Sequence, residues 1–336
     1  MSARQCPGIL FVHRRVLPSF VRNDLEILRK HFDVYPVCIS VNIFRVLFEI
    51  FRSIVRVNVI FVWFAGFQAF ISVFLAKFFR KKLVVVAGGY DATYVPEINY
   101  GVFTCWWRAI MAIFVYKNAD LVLAVSKCTK NELLRRVIPK RIRVVYNGVD
   151  VKTFVPLSEK KAYVLTVGAV NKSNLKKKGL ETFVKTARFL PNVRFVLVGR
   201  HTDNSINYLK EIASKNVEFT GYIPFNKLLE LYGKAMIYAQ LSYHESFGVA
   251  LAEAMACGCV PVVTKMAAIP EVAGECGIYV PYGDAKATAK AIQEAFKRKE
   301  LGKCARDRVC KMFSLEKREE KLIETLNSLI NGNNRI

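Results

Sequence analysis

YVLTVGAVNKSNLKKKGLETFVKTARFLPNVRFVLVG, residues 163–199, contains one complete strand–helix–strand unit. Apolar, β-branched runs at 163–168 and 194–199 flank a segment whose apolar residues recur at helical spacing. Such an alternation is typical of βα units and of the parallel sheets that they build. The stretch therefore predicts an α/β fold.

The same alternation continues in both directions along the chain. Strand-like runs, with helical patterns between nearly every pair, lie at 8–12, 33–39, 57–64, 82–88, 121–126, 142–147, 163–168, 194–199, 217–221, 237–242, 260–264 and 277–280. Asn-Gly, proline and a lysine pair interrupt the apolar pattern at 147–162, which we interpret as a hinge. Two series of strands predict two doubly wound, Rossmann-like domains.

The length of 336 residues agrees with two domains of about 150 residues each. We expect an N-terminal domain over 1–152 and a C-terminal domain over 153–314, with a final helix at 315–332 packing back on the first domain. Ligands of open α/β sheets sit beyond the carboxyl ends of the strands. Two facing domains of this kind would hold a substrate in the cleft between them.

The chain is strongly basic, with 51 lysines and arginines against 27 aspartates and glutamates and a net charge of +24. This charge favours anionic partners: nucleotide substrates, an acidic membrane surface or nucleic acid. No recognition helix or strand-face aromatic pattern of the known nucleic-acid modules is evident, so we expect no nucleic-acid partner. Nine scattered cysteines, without a framework of spacings, predict reduced thiols in a cytoplasmic protein rather than disulfides or zinc.

Two segments raise the question of a membrane. Residues 57–76 contain no charge and are long enough to span a bilayer, but Gly66 divides them into a strand-like and a helical part. We interpret them as a strand followed by a packed helix. In 42–56, Arg45, Glu49, Arg52 and Arg56 form one helical stripe, which indicates either an interfacial helix or a core helix with a charged outer side. With the basic run at 78–82, this leads to the hypothesis of a peripheral protein on the inner face of the cell membrane.

Two places carry candidate chemistry. After the strand that ends at Gly168, a basic loop leads to Lys178-Gly179, where backbone amides at a helix start and a lysine could bind phosphate. The second place is HESFGVALAEAMACGCVPVV, residues 244–263, where Glu245 and Glu253 have seven residues between them. We predict a helix from about Ser246, as its N-cap, to Gly258.

Spacing alone leaves both carboxylates as ordinary surface residues, but the surrounding motifs resemble a known family. HESFGVALAEAMACGCVPVV followed by IPEVAGECGIYV resembles the retaining glycosyltransferases of family 4, the group 1 glycosyl transferases. The resemblance extends to ADLVLAVS (119–126), VYNGVDVKTFVP (145–156), KKGLETFVKTARFLPNVRFVLVG (177–199) and FTGYIP (219–224). It implies the GT-B fold.

The resemblance also implies roles for particular residues. Glu245 would meet hydroxyls of the donor sugar, Glu253 the ribose of the nucleotide, and Lys178 the diphosphate as it leaves. The backbone amides of Ser246, Phe247 and Gly248 would hold the diphosphate. The other residues of the donor site would be Val249, Gly168 and Lys172. The chain departs from the family pattern at Ala169, where an arginine is usual, and at Ala267-Ala268, where two glycines are usual. Lys172, Lys176 or Lys177 are candidate replacements for the arginine.

The N-terminal domain would supply the acceptor side. His13, Arg14 and Arg15 follow the first strand and could bind an acceptor phosphate, although a solvated basic loop fits them equally well. Tyr90 and Asp91 follow the strand at 82–88. We expect Asp91 to lie in the cleft as a third catalytic residue with Glu245 and Lys178.

The sequence therefore predicts a retaining, metal-independent glycosyltransferase without a cofactor. Its donor would be a nucleotide sugar, UDP- or GDP-linked rather than ADP-linked, and its acceptor a lipid-linked or cell-surface glycan precursor. The partners would be this donor, the acceptor and an anionic membrane surface. The alternatives are another GT-B enzyme, such as a nucleotide-sugar epimerase, and a basic, non-catalytic nucleic-acid binder.

Overall fold

A computed structural model of the chain describes residues 7–13, 15–38 and 43–332, with only the backbone of 43–48. The chain forms two compact units. The first comprises the chain up to Gly148 together with the segment from Glu316 onward, and the second comprises Val149–Leu315. Each unit is built on a six-stranded parallel sheet, so the fold is α/β with two doubly wound domains, as in the GT-B fold.

The sheet of the first unit has the order β2-β1-β3-β4-β5-β6. Its strands are β1 (Gly8–His13), β2 (Asp33–Cys38), β3 (Val59–Trp63), β4 (Lys82–Ala87), β5 (Leu121–Ala124) and β6 (Ile142–Val144). Its helices are α1 (Ser19–His31), α2 (Ile43–Ile54), α3 (Phe67–Phe78), α4 (Trp106–Asn118) and α5 (Lys127–Leu134), with short 3₁₀ turns at Pro96–Ile98 and Val102–Thr104.

The sheet of the second unit has the order β12-β11-β10-β7-β8-β9. Its strands are β7 (Lys161–Val167), β8 (Arg194–Val198), β9 (Val217–Gly221), β10 (Ala235–Gln240), β11 (Val260–Thr264) and β12 (Ile278–Val280). Its helices are α6 (Lys172–Lys177), α7 (Leu180–Ala187), α8 (Ser205–Ile212), α9 (Phe225–Lys234), α10 (Val249–Ala256), α11 (Ile269–Ala273), α12 (Ala285–Lys297) and α13 (Glu300–Met312), with a 3₁₀ turn at Gly274–Cys276. The last helix, α14 (Leu315–Ile330), leads into the first unit.

The uncharged segment 57–76 forms β3 and most of α3, as predicted, and the chain breaks at Ala65-Gly66 where Gly66 caps α3. Five consecutive residues of β3 are buried, which explains why the strand is apolar on both faces. Among the described residues, no helix has the length and apolarity to cross a membrane.

A buried ion pair joins α14 to the rest of the first unit. Arg318 donates from Nε to Asp24 Oδ1 at 2.5 Å and from Nη2 to Asp24 Oδ2 at 2.7 Å. Trp63 Nε1 donates to the same Oδ2 at 3.0 Å, and Arg318 Nη1 donates to the carbonyls of Val145 and Tyr146. Every one of these groups is paired, which a charge this deeply buried requires.

The prediction of reduced thiols was wrong for one pair of cysteines. Cys276 and Cys304 form a disulfide, and they lie in the turn Gly274–Cys276 and in α13. These two elements pack against each other and bring the residues together although 28 positions separate them in sequence. Spacing alone could not show this contact, because the two cysteines belong to no recognisable framework.

Candidate functional site

The candidate site of the second unit lies where its strand order reverses. β7 and β10 are neighbours in the sheet, but the chain proceeds from β7 to β8 on one side and from β10 to β11 on the other. The carboxyl ends of two such strands leave a crevice in which open α/β sheets bind ligands. Lys178 lies in the connection that follows β7, directly after α6, and Glu245 lies in the connection that follows β10. Both predicted residues therefore lie beyond this edge of the sheet.

Three donors meet at one oxygen of Glu245. Lys178 Nζ lies 2.8 Å from Oε1, and Gln240 Nε2 and Ser242 Oγ donate to the same atom at 3.0 Å each. None of these three bonds involves Oε2. The side chain is 13% exposed, so the carboxylate is held firmly on one side while remaining accessible to a ligand.

The charge of Glu245 is stabilised by its surroundings. Burial alone would raise its pKa, but the ammonium groups of Lys178 and Lys177, with hydrogen bonds from Lys178 and Ser242, hold the pKa below its usual value. Glu245 is therefore ionised at neutral pH and accepts hydrogen bonds without donating any. This suits a group that binds hydroxyls, and it does not suit a general acid.

Two glycines make room for Lys178. A Cβ on Gly168, at the end of β7, would lie 2.6 Å from Lys178 Cδ, so the lysine stem crosses the strand end where that residue has no side chain. Gly179 has a φ of +63°, and a Cβ there would lie 2.0 Å from the carbonyl oxygen of Leu241. The predicted pair Lys178-Gly179 therefore has a steric basis: the glycine allows the close approach that directs the lysine to Glu245.

The turn that carries Glu245 is fixed by its neighbours. Thr264 Oγ1 donates to the Ser242 carbonyl at 2.6 Å, and the Tyr243 amide donates to the Lys177 carbonyl at 2.8 Å. The Ala268 amide donates to the Glu245 carbonyl at 3.1 Å. Three separate segments thus hold the backbone, and the position of the carboxylate does not depend on a free loop.

The helix after this turn is capped two residues later than predicted. α10 begins at Val249 and its cap is Gly248, with a φ of +95°, whereas Ser246 lies in the preceding turn and does not cap it. The side chain of Phe247 is buried, with its ring 5.4 Å from that of Phe313, so only its backbone can face a ligand. The helix ends as predicted, since Gly258 follows the last turn with a φ of +72°.

Glu253 lies on α10 in a different environment. Tyr232 donates from its hydroxyl to Glu253 Oε2 at 3.1 Å, and desolvation outweighs this bond and raises the pKa of Glu253 to about 7. The two carboxylates of the motif therefore differ in charge near neutral pH: Glu245 is ionised, and Glu253 is close to half protonated.

The two departures from the family pattern have structural counterparts. Ala267 has a φ of +48°, the left-handed conformation that a glycine adopts without strain, so this position favours the glycine that the chain lacks. Near Ala169, Lys172 and Lys176 are exposed, whereas Lys177 lies close enough to Glu245 to lower its pKa. Of the three candidate replacements for the arginine, Lys177 is the one brought to the site.

Sequence reasoning missed the groups that hold the carboxylates. Gln240 and Ser242 end the β10 segment, and Tyr232 lies on α9 with its hydroxyl on Glu253. A signal existed for the first two, because Gln and Ser are unusual at the end of an otherwise buried apolar strand. No comparable signal marked Tyr232.

In the first unit, Asp91 is buried and both oxygens of its carboxylate accept hydrogen bonds from the protein. Oδ2 accepts from the Ala65 amide at 2.9 Å and from the Tyr116 hydroxyl at 2.6 Å, and Oδ1 accepts from the Gly89 amide at 2.9 Å. Burial raises the pKa of Asp91 despite these bonds. The contacts tie the loop after β3 to the loop after β4, which is a positioning role, and the catalytic role remains a prediction.

The other predicted acceptor residues are dispersed. His13 ends β1 and is partly buried, Arg15 is exposed, and Arg14 lies outside the described residues. Tyr90 is exposed and accepts a hydrogen bond from Arg108 at 3.2 Å. Tyr90 and Asp91 line a cavity of about 740 Å³ at the carboxyl ends of β3 and β4, together with Phe64, Ala65, Gly66, Phe67, Val102, Trp107, Arg108 and Met111. No group of three or more His, Cys, Asp or Glu that could hold a metal ion occurs in the described part of the chain.

Two family models match the chain. The model described as Glycosyltransferase Family 4 matches residues 7–153, and the model described as Glycosyl transferases group 1 matches residues 161–298. Together they cover most of both units.

Individual proteins and structures are also similar. The O-antigen chain mannosyltransferase RfbU of Salmonella typhimurium strain LT2 is 28% identical over 195 residues, which are 56% of this chain and 54% of that protein. The GDP-mannose:cellobiosyl-diphosphopolyprenol alpha-mannosyltransferase of Xanthomonas campestris is 28% identical over 182 residues, 51% of this chain and 48% of that protein. The chain thus spans about half the length of these curated relatives. The crystal structure of Anabaena HepE with UDP and glucose superposes with a TM-score of 0.78 at 17% identity, covering 95% of this chain and 99% of that chain.

Proposed function

Because the chain belongs to the family 4, group 1 glycosyltransferases, we propose that it transfers a sugar from a nucleotide-diphosphate sugar to an acceptor hydroxyl, with retention at the anomeric carbon. The observation that carries this proposal is the half-occupied carboxylate of Glu245. One of its oxygens holds Lys178, Gln240 and Ser242, and the other takes none of these bonds. Such a group offers a fixed acceptor for sugar hydroxyls beside a cation for phosphate.

In the proposed reaction the bond between the anomeric carbon and the diphosphate oxygen breaks while the acceptor oxygen bonds to that carbon on the same face. The proton of the acceptor hydroxyl passes to the departing diphosphate. Negative charge grows on the diphosphate during this step, and the ammonium groups of Lys178 and Lys177, which both act on Glu245, would stabilise it. The amides of Ser246, Phe247 and Gly248 at the start of α10 add their partial positive charge. No metal ion is required in this scheme.

The two carboxylates have separate roles in the proposal. Glu245, ionised at neutral pH, binds hydroxyls of the donor sugar, and Glu253 binds the ribose of the nucleotide. Ribose hydroxyls would donate hydrogen bonds to the charged form of Glu253, which burial leaves without solvation. Donor binding would then favour loss of the proton that burial keeps on this carboxyl near pH 7.

The substrates are proposed from chemistry and from the relatives. UDP and glucose occupy the structure of HepE, which favours a UDP-linked donor, and a GDP-linked donor, as named for the Xanthomonas relative, is the second choice. One relative is named for O-antigen chains and the other for a diphosphopolyprenol, so we propose a lipid-linked or cell-surface glycan precursor as the acceptor. An anionic membrane surface belongs to the same proposal, because a lipid-linked acceptor is reached at a bilayer.

The test measures donor binding and stereochemistry. UDP, GDP and ADP are each titrated in a thermal-shift assay, where a ligand of the folded state raises the melting temperature. We expect a shift with UDP or GDP that Lys178→Ala abolishes. Lys185→Ala, at an exposed lysine of α7 paired with Glu181, should leave it unchanged.

Product formed from the preferred sugar nucleotide is then examined by proton NMR. The same anomeric configuration in donor and product supports retention, and the opposite configuration would exclude it. Release of a free epimerised sugar instead of a transferred one would favour the epimerase alternative. No thermal shift with any nucleotide would count against the whole proposal.

A further inference from the structure

Two helices of the first unit expose large apolar side chains instead of covering them. On α3 these are Phe67, Phe74 and Phe78, and on α4 they are Trp106, Trp107 and Ile110. Each of the six is between 50% and 81% exposed. We call this set the aromatic face. Isolated exposed apolar residues are ordinary, but six on adjacent helices form a patch of the kind that marks an interaction site.

The aromatic face is a single surface. Residues 67, 74 and 78 recur at spacings of seven and four, so they lie on one side of α3, while Ala69, Val73 and Ala76 on its other side pack into the core. Phe74 stacks on Phe114 of α4 with ring centroids 5.7 Å apart. The two helices therefore present one continuous outer surface.

The charged side chains of α3 and α4 all have the same sign. Neither helix contains Asp or Glu, and the sequence between α3 and β4 adds only further cations. Lys77 lies over the ring of Phe114 and Arg108 over the ring of Trp107. Arg80 is exposed just beyond the end of α3, and Lys81 follows it.

Aromatic rings interleaved with lysine and arginine, without acidic residues, complement one partner well. Trp, Phe and cationic side chains are the groups enriched where proteins contact the headgroup region of a bilayer, and anionic lipids attract each nearby cation. We propose that the aromatic face docks the protein on an anionic lipid bilayer. A second copy of the chain fits less well, because a self-complementary contact would bring these cations together without counter-charges.

The aromatic face also borders the cavity of the first unit. Phe67 and Trp107 belong to the face and line the cavity of about 740 Å³ with Arg108 and Tyr90. A lipid-linked acceptor at the bilayer would thus meet an apolar wall and a guanidinium at the same place. This link rests on the proposed function, whereas docking itself does not require transfer.

This assignment differs from the helix that the sequence singled out. Arg45 belongs to the part of α2 of which only the backbone is described, and Arg56 comes after the end of the helix. Phe51 at the exposed side of α2 contacts Phe79, so α2 lies at the edge of the aromatic face.

The test is flotation with phosphatidylcholine vesicles, with and without phosphatidylglycerol. We expect binding only to the anionic vesicles and loss of binding as salt rises. The triple variant Lys77→Glu, Arg80→Glu, Lys81→Glu should weaken partitioning by about 100-fold or more, since each cation near an anionic surface contributes about a fivefold step. Lys286→Glu, Lys290→Glu, Lys297→Glu is the matched control. It changes the net charge equally at exposed lysines of α12 in the second unit and should have little effect.

A second measurement keeps the proposal testable if a charge variant folds poorly. The three tryptophans all lie in the first unit, two on the aromatic face and Trp63 in the core. Lipids brominated in the acyl chain should therefore quench most of the exposed tryptophan fluorescence. Phe74→Ser with Phe78→Ser should weaken binding roughly tenfold, and Ile138→Ser, at an equally exposed residue between α5 and β6, should not.

Equal loss of binding in both triple variants would overturn the proposal, because the net positive charge of the protein would then be enough to explain vesicle binding. A concentration-dependent dimer that Phe78→Ser dissociates, with no quenching by brominated lipid, would instead assign the face to a contact between copies. Transfer to a water-soluble acceptor without vesicle binding would refute docking alone. Vesicle binding without any transfer would refute the proposed function alone.

Discussion

Asp24 in the first unit and Glu245 in the second are both carboxylates held by a cation, but their oxygens are used differently. Asp24 is fully buried, with Arg318 on both oxygens and Trp63 on one of them. Glu245 receives Lys178, Gln240 and Ser242 on Oε1 only and keeps 13% of its side chain exposed. Both oxygens of the Asp24 carboxylate are thus bonded within the protein, whereas the Glu245 carboxylate is held in place through one oxygen.

The difference distinguishes a carboxylate that stabilises the fold from one that can bind a ligand. A saturated, buried ion pair does not gain from a ligand, and its removal leaves an uncompensated charge. A carboxylate with one oxygen pinned is oriented in advance, so a ligand finds it without the cost of ordering it. We therefore expect changes at Asp24 and Arg318 to affect stability, and changes at Glu245 and Lys178 to affect transfer.

The largest expected effect is on the stability of the first unit. Arg318→Leu leaves Asp24 buried without its cation, and we expect a loss of about 3–5 kcal/mol in the free energy of unfolding. Denaturant unfolding followed by tryptophan fluorescence measures this, because all three tryptophans lie in the first unit. Asp24→Leu combined with Arg318→Met removes both charges and should recover most of the loss. A loss equal to that of the single variant would show that the carbonyls of Val145 and Tyr146, not Asp24, depend on the arginine.

Glu245→Gln should have the opposite profile. The amide keeps the shape but loses the charge that Lys178 and Lys177 stabilise, so turnover should fall about 100- to 1000-fold while the melting temperature changes little. Glu230→Gln, at an exposed carboxylate of α9, is the control. A Glu245→Gln variant with a lowered melting temperature but normal turnover would contradict the comparison.

The contribution of Glu253 to stability depends on pH. Its carboxyl has a pKa of about 7 in the folded protein against an ordinary value of 4.5, so the folded state holds a proton that the unfolded state has lost. The stability associated with that proton is complete below pH 4.5 and is lost as the pH rises through 7. Glu253→Gln should remove this dependence and stabilise the second unit at pH 8, relative to pH 5, by on the order of 2–3 kcal/mol. Calorimetric melting at the two pH values measures it, and parallel pH profiles for variant and wild type would contradict the raised pKa.

The smallest effect concerns the backbone beside Glu245. Ala267→Gly relieves a left-handed residue with a φ of +48°, which should outweigh the added chain entropy and stabilise the protein by about 0.5 kcal/mol. Ala268→Gly, at a neighbouring residue with a φ of −83°, should destabilise it by a similar amount. Equal changes in melting temperature for the two variants would mean that the strain at Ala267 is absent.

Much of the fold follows from local pattern, because buried parallel strands are continuous apolar runs that few other structures share. The runs at 217–221 and 260–264 coincide with β9 and β11, and 57–76 divides at Gly66 as expected. The segment 172–177 was misjudged: five polar residues gave it no apolar stripe, yet Asn171 caps it as α6. Likewise Ser246 has the right chemistry for a cap, but Gly248 adopts the backbone conformation that starts α10.

The candidate site was less predictable from pattern because its contacts are distant in sequence. Lys178 and Glu245 are 67 residues apart, and only the family resemblance paired them before their 2.8 Å contact could be seen. Asp24 and Arg318 are 294 residues apart and carry no motif at all. Local rules determine elements, whereas a polar cluster is fixed by the topology that brings strand ends together.

The return of α14 to the first unit has a consequence for the order in which the chain is made. Synthesis proceeds from the N-terminus, and domains usually fold as they emerge. Here the second unit, Val149–Leu315, leaves the ribosome complete, while the first still lacks the helix that carries Arg318. Until that helix arrives, Asp24 has no cation, so the unit begun first is the unit finished last.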